Sequence, residues 1–85
     1  MTRLPAPTTI GVTCTAAHQP KSLIWGRQHF VVDRIPDTWQ VETDWWTANQ
    51  HVSRHYFTVT TTAGAVLVIY YDFLTAQWVL EQAYD

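Results

Sequence analysis

Histidine and cysteine are the residues of this chain best suited to hold a metal ion or to act as a nucleophile. His51 and His55 stand four residues apart, a spacing that binds a metal when both rings lie on one face of a helix. Here the pair spans the boundary between a predicted loop and a predicted strand, so the two rings need not share a face. His18 and His29 would join them only through a coincidence of folding. We therefore expect no metal and no cofactor.

Catalytic residues are also not predicted. Cys14 alternates in phase with Ile10 and Val12, which favours a small apolar core residue over an activated thiol. The chain has no glycine-rich phosphate loop, no Cys-x-x-Cys pair and no Gly-x-Ser-x-Gly motif. The acidic residues Asp33, Asp37, Glu42 and Asp44 fall in or near predicted turns, and paired-carboxylate catalysis would need a groove of sugar size. The sequence predicts that the protein is not an enzyme.

A pair of adjacent tryptophans is the strongest candidate for recognition. Neighbouring residues on a strand point to opposite faces, so Trp45 and Trp46 cannot both enter one core. Tryptophan and arginine are enriched among the residues that dominate binding energy at interfaces. We therefore predict a partner-binding site formed by Trp45, Trp46, Arg27 and Arg54. The alternative, in which the tryptophan pair covers one end of the core, stays open.

The elements that must position these residues are short strands. Apolar and polar residues alternate with period two in segments that recur roughly every ten residues. Gly26-Arg27 predicts a type II′ hairpin turn, residues 62–64 and 72–75 predict further turns, and Ile35-Pro36-Asp37 is expected to interrupt pairing. Apolar spacing typical of a helix never persists for three turns. We predict an all-β fold: a small antiparallel meander of six to seven strands, either a curled sheet or an SH3-like barrel.

One hydrophobic core is expected from the inward positions of these strands. The predicted core residues are Trp25, Phe30, Trp39, Phe57, Val59, Leu67, Ile69, Trp78 and Leu80. Residues 65–71 are apolar on both faces, and exposed edges or patches of that kind tend to pair. A homodimer is therefore one hypothesis.

Length, charge and cysteine content narrow the class of protein. Eighty-five residues suffice for one domain, so residues 1–85 are expected to form a single small β domain, with residues 1–7 flexible. The formal net charge is −2, and no lysine or arginine follows Arg54, which argues against autonomous nucleic-acid binding. A single cysteine cannot form an internal disulfide, and no export signal or run of 18 apolar residues occurs. We expect a cytoplasmic protein that does not contact a membrane.

The order of aromatic, glycine and acidic residues resembles a small bacterial domain family of unknown function. The resemblance begins with Ile24-Trp25-Gly26-Arg27, covers residues 20–85, and rests on the segments 30–35, 39–46, 54–57, 70–72, 78–80 and 84–85. Members of that family occur as freestanding proteins near genes for error-prone polymerases. They also occur as a C-terminal appendage of ImuB-type proteins, which are similar to Y-family polymerases. The resemblance implies a link to DNA damage tolerance.

Three functions are compatible with these observations. The first is a non-enzymatic accessory or adaptor protein of translesion synthesis that binds a protein partner, such as a member of an error-prone polymerase cassette. The second is a module that binds single-stranded nucleic acid by stacking bases on exposed tryptophans. The third is a purely structural homodimeric domain. We favour the adaptor, because five cations in an acidic domain offer little attraction for a phosphate backbone.

Overall fold

A computed structural model describes residues 8–43 and 52–84 of the chain. The described residues form six β-strands, namely β1 (Thr8–Cys14), β2 (Pro20–Trp25), β3 (Gln28–Glu42), β4 (Ser53–Thr61), β5 (Val66–Asp72) and β6 (Gln77–Tyr84). Consecutive strands pair antiparallel, and β1 also pairs with β6, which closes the sheet into a small barrel. The predicted all-β meander is confirmed. The described part of the chain contains no helix long and apolar enough to cross a membrane.

The tight turns follow from glycine positions. Trp25 pairs with Gln28 across the two-residue loop Gly26-Arg27, and Gly26 has a φ of 62°. A positive φ at the first loop position only is the geometry of a type II′ turn, which agrees with the prediction. Gly64, with a φ of 86°, is the last residue of the three-residue loop between Thr61 and Ala65, whose backbones are joined by a hydrogen bond of 2.9 Å.

The predicted interruption of pairing at Ile35-Pro36-Asp37 is confirmed, since Ile35 and Pro36 have no register partner on β4, but it does not end the strand: β3 runs through it as one strand of 15 residues. Its pairing with β4 shifts register twice, between Val32 and Arg34 and between Arg34 and Asp37. Pro36 falls within the second shift, where its missing N–H breaks no pairing bond. These irregularities let β3 bend, so that its first half pairs with β2 and its second half with β4.

The barrel interior holds the hydrophobic core. Paired residues on neighbouring strands share a face, and the inward residues that are buried are Ile10, Leu23, Phe57, Val59, Leu67, Ile69, Trp78, Leu80 and Ala83. Six predicted core residues are thereby confirmed. Trp25, Phe30 and Cys14 are partly buried against this core, and burial raises the pKa of the Cys14 thiol. Cys14 is therefore a core residue, as its phase predicted.

Trp39 is a correction to the predicted core. It pairs with Tyr56 on the outside of the barrel and is 38% exposed. The inward position beside it belongs to Thr38, which pairs with Phe57 and lies within hydrogen-bond distance of the His55 ring. The rings of His55 and Phe57 stack with their centres 4.2 Å apart on the inward side of β4. The two register shifts earlier in β3 set the phase of this segment, which leaves Thr38 opposite Phe57 and turns Trp39 to the outside.

Strand β5 pairs with β4 on one side and with β6 on the other. Both faces of residues 66–71 are used: Leu67 and Ile69 fill the core, and Tyr70 is buried on the outer face against the Tyr56 ring and the Arg54 guanidinium. Both edges of β5 are therefore paired within the chain, so β5 offers no free edge through which two copies could form a homodimer. Self-association through another surface stays a prediction.

The barrel has two distinct ends. The first, called here the Arg54 end, contains the turns that follow β1 and β5 and the residues Thr43 and Val52, which are joined by a hydrogen bond of 2.9 Å. The second, called here the Gly26 end, contains the turns that follow β2 and β4. Antiparallel connectivity places these two sets of turns on opposite sides of the core.

Candidate functional site

Stacked rings cross the outer surface of three neighbouring strands. Trp39 lies over Tyr56 with ring centres 5.2 Å apart and planes only 5° from parallel. Tyr56 in turn contacts Tyr70 at 4.9 Å. Register explains the arrangement, since Trp39 pairs with Tyr56 and Tyr56 pairs with Tyr70. We call Trp39, Arg54, Tyr56, Tyr70 and Glu81 the Trp39 face.

Hydrogen bonds hold Tyr56 rigidly in this stack. Its hydroxyl accepts a hydrogen bond from Arg54 Nη1 at 3.2 Å and donates one to Glu81 Oε2 at 3.3 Å. Its backbone carbonyl accepts a hydrogen bond from Thr38 Oγ1 at 2.9 Å. Although it lies on the outside of the barrel, Tyr56 is buried. Trp39 therefore stands exposed on a fixed aromatic base.

Arg54 is anchored in the same face. Its guanidinium carbon lies 4.5 Å from the centre of the Tyr70 ring, within cation–π distance. The hydrogen bond to Tyr56 raises the pKa of Arg54, and Asp72, its partner in register, adds to the effect. Arg54 Nε is buried and has no hydrogen-bond partner among the described residues. A buried, unpaired donor is costly, so the contacts to both tyrosines must outweigh that cost.

A cavity of about 240 Å³ adjoins the Trp39 face at the Arg54 end. It is lined by Gln40, Val41, Glu42, Ser53, Arg54 and Phe73. Phe73 is an exposed large apolar residue in the turn after β5. Arg54 thus belongs both to the Trp39 face and to the lining of this recess, which also contains Phe73.

Two acidic groups flank the arginine of this surface. Register places Asp72 opposite Arg54, and Glu81 accepts the hydrogen bond from Tyr56. Farther along the same outer face, Asp37 lies opposite Thr58 and Arg34 opposite Thr60, so one charge of each sign follows. Two carboxylates beside one guanidinium leave the surface at Arg54 with little attraction for phosphate groups.

The structure separates the residues of the predicted partner-binding site. Arg54 lies beside the cavity, but Arg27 lies in the turn after β2, at the opposite end of β3. Trp45 and Trp46 lie outside the described residues, in the segment that leaves β3 and returns to β4 at the Arg54 end. The chain therefore joins this segment to the end that holds Arg54 and not to the end that holds Arg27. Their role in partner binding stays a prediction.

Sequence reasoning missed the stack that Trp39, Tyr56 and Tyr70 form on the outer face of the barrel. The alternation of β4 did place Tyr56 opposite to the inward residues Phe57 and Val59. An outward aromatic next to a tryptophan on the neighbouring strand would have been the signal, but it becomes visible only once the register of β3 and β4 is known.

Two histidines, His18 and His55, lie at the Arg54 end of the barrel. His18 stacks on Trp78 at 5.6 Å and meets Tyr71 edge-on at 5.1 Å. His18 also has a φ of 61°, a conformation that histidine adopts more readily than most residues. Across residues 8–43 and 52–84, no group of three or more His, Cys, Asp or Glu side chains is placed to hold a metal ion. His51 lies outside the described residues, so the expected absence of a metal stays a prediction.

We expect thermal stability to fall as the pH decreases below about 6.5, the usual pKa of histidine. Burial lowers the pKa of His55, and the charge of nearby His18 lowers it further. The unfolded chain then binds the proton more readily than the folded protein does. The stabilising contribution of His55 is complete above its unfolded pKa and is lost as the pH falls through the lower folded pKa.

Thermal unfolding between about pH 8 and pH 5 measures this effect. The variant His55→Gln cannot titrate at this position, so its melting temperature should change less over that range than that of the wild type. Equal changes in the two proteins would show that His55 does not carry the dependence.

A profile of one protein family matches residues 7–85, nearly the whole chain, and the description of that family is "Domain of unknown function (DUF6504)". Searches of curated proteins and of solved structures give no match. The matched region includes all six strands and every residue of the Trp39 face. The chain therefore belongs to the DUF6504 family.

Proposed function

We propose that this domain is a non-enzymatic adaptor of the cytoplasm that binds a protein partner through the Trp39 face. The observation that carries the proposal is a tryptophan that is exposed and yet held parallel to a buried tyrosine. Exposed tryptophan and neighbouring arginine are the residue types that dominate binding energy in protein interfaces. The adjoining cavity offers a recess for an apolar side chain of the partner.

Rigidity of the face supports this role. Tyr56 is fixed by hydrogen bonds to Arg54, Glu81 and Thr38. A surface whose side chains are already ordered loses little conformational entropy when it binds, and this smaller loss strengthens the affinity. A tryptophan standing free on a flexible loop would lack this advantage.

The cellular context forms the second part of the proposal. We infer that the partner acts in DNA damage tolerance, specifically in translesion synthesis. Support comes from the resemblance of residues 20–85 to domains encoded near error-prone polymerases or appended to ImuB-type proteins. The site chemistry is compatible with any protein partner that presents an apolar anchor, and a basic group would complement the surrounding carboxylates.

Binding of single-stranded nucleic acid is the second candidate. An exposed tryptophan beside an arginine on a small β-barrel is the kind of surface on which bases stack. Two observations favour the protein partner instead. Arg54 is already engaged with Tyr56 and Tyr70, and the carboxylates of Asp72 and Glu81 beside it would repel the phosphate backbone.

Titration with a short single-stranded oligonucleotide separates the two candidates. The adaptor account expects no saturable quenching of tryptophan fluorescence at physiological salt, and no gain when the salt is lowered severalfold. Trp39→Phe serves as the control, because it retains an aromatic ring but removes the indole nearest the site. Saturable quenching that weakens steeply as salt rises, and that changes with Trp39→Phe, would establish nucleic-acid binding and overturn the adaptor.

A further inference from the structure

A second cavity lies at the Gly26 end, on the far side of the core from the Trp39 face. Its volume is about 450 Å³, within the range of small-molecule sites in proteins. Its lining includes Trp25, Gln28, Phe30, Ala65, Leu67 and Ala83. Trp25 and Phe30 form one wall, with ring centres 6.5 Å apart and planes 26° from parallel. Leu67 and Ala83 are buried and form the floor.

Small side chains create this space. The interior of a small barrel is normally filled by side chains. At this end, however, Ala63, Ala65 and Ala83 occupy three of the lining positions. Larger residues at the same level, Trp25 and Phe30, remain only partly buried because nothing packs against their remaining surface within the described chain. The cavity therefore exists because alanines, and not larger residues, line it together with the rings of Trp25 and Phe30.

We propose that this cavity binds a small, uncharged aromatic molecule that stacks against Trp25 and Phe30. Aromatic rings are attracted to such a wall both by burial of apolar surface and by ring–ring contact. None of the described residues that line the cavity is charged, so a carboxylate or ammonium group inside it would lose its hydration without gaining a partner. The amide of Gln28 supplies the one side chain of the lining that both donates and accepts hydrogen bonds. A neutral ring with a single polar edge fits this combination best.

Indole is the probe for this site, and alanine methyl groups are the reporters. In a protein with labelled alanine methyls, indole should shift the resonances of Ala63, Ala65 and Ala83 in a saturable way, with a midpoint no weaker than about 1 mM. Ala16, Ala17 and Ala76 lie in turns at the Arg54 end and should not move. Indole-3-carboxylate has the same ring with a negative charge, and we expect it to bind at least tenfold more weakly.

Two substitutions test the location of the site independently. Ala65→Leu should fill the mouth of the cavity and weaken indole binding at least tenfold, whereas Ala16→Leu, an exposed position at the other end, should leave it unchanged. Trp25→Leu removes one ring of the wall and should weaken binding by a similar factor. Chemical shifts of the core methyls of Leu67 and Ile69 report whether each variant is folded. Absence of saturable shifts up to several times 1 mM, or binding by folded Ala65→Leu equal to that of the wild type, would overturn the proposal.

Discussion

Replacing Phe57 by alanine is expected to destabilise the protein by about 3–5 kcal/mol, the usual cost of removing a buried ring. Phe57 is completely buried between β3 and β5 and contacts the rings of His55 and Trp78. A domain of this size has a total stability of roughly 5–15 kcal/mol, so the variant should be close to unfolding at ambient temperature. Chemical denaturation with urea measures the loss directly.

Matched variants make this prediction specific to the core. Ile24→Ala removes an exposed apolar side chain on the outer face of β2 and should change stability by no more than about 0.5 kcal/mol. Trp39→Ala should fall between the two, at about 1–2 kcal/mol, because it loses a ring stack and part of a buried surface. If Trp39→Ala cost as much as Phe57→Ala, Trp39 would belong to the core after all.

The second large effect concerns binding. With a purified partner, Trp39→Ala should weaken the complex by about 2–4 kcal/mol, which corresponds to roughly 30- to 1,000-fold in the dissociation constant. The reason is that Trp39 presents its free ring face on a base fixed by Tyr56, Arg54 and Glu81. Ile24→Ala is the binding control, because Ile24 is more exposed than Trp39, at 54%, but lies on β2 rather than on the Trp39 face. Equal affinities for Trp39→Ala and the wild type would remove Trp39 from the interface.

The general fold could be predicted because its signals are local. Alternation in phase with Ile10, Phe57 and Leu80 marks inward positions, and Gly26 and Gly64 mark tight turns because they adopt positive φ. Pairing of β1 with β6, which closes the barrel, joins the two ends of the described chain. No short stretch of sequence carries information about such a long-range contact.

The candidate site could not be predicted in the same way. Alternation predicts Trp39 in the core on the premise that apolar residues point inward, but the premise is not reliable for a single residue because much of any protein surface is also apolar. Its orientation follows from the two register shifts in the pairing of β3 with β4, which place Thr38 opposite Phe57 and Trp39 opposite Tyr56. The separation of Arg27 from Arg54 is likewise a consequence of the length of β3, which depends on bridging the irregular pairing at Pro36.

Affinity capture from cells exposed to a DNA-damaging agent tests the central claim most directly, when wild type, Trp39→Ala and Ile24→Ala are compared by quantitative mass spectrometry. The account predicts that at least one protein of translesion synthesis is enriched with the wild type, is enriched equally with Ile24→Ala, and is lost with folded Trp39→Ala. Nuclease treatment before capture should leave this pattern unchanged, since the proposed contact is between proteins. A set of captured proteins that is identical for wild type and Trp39→Ala, or that disappears on nuclease treatment, would contradict the account.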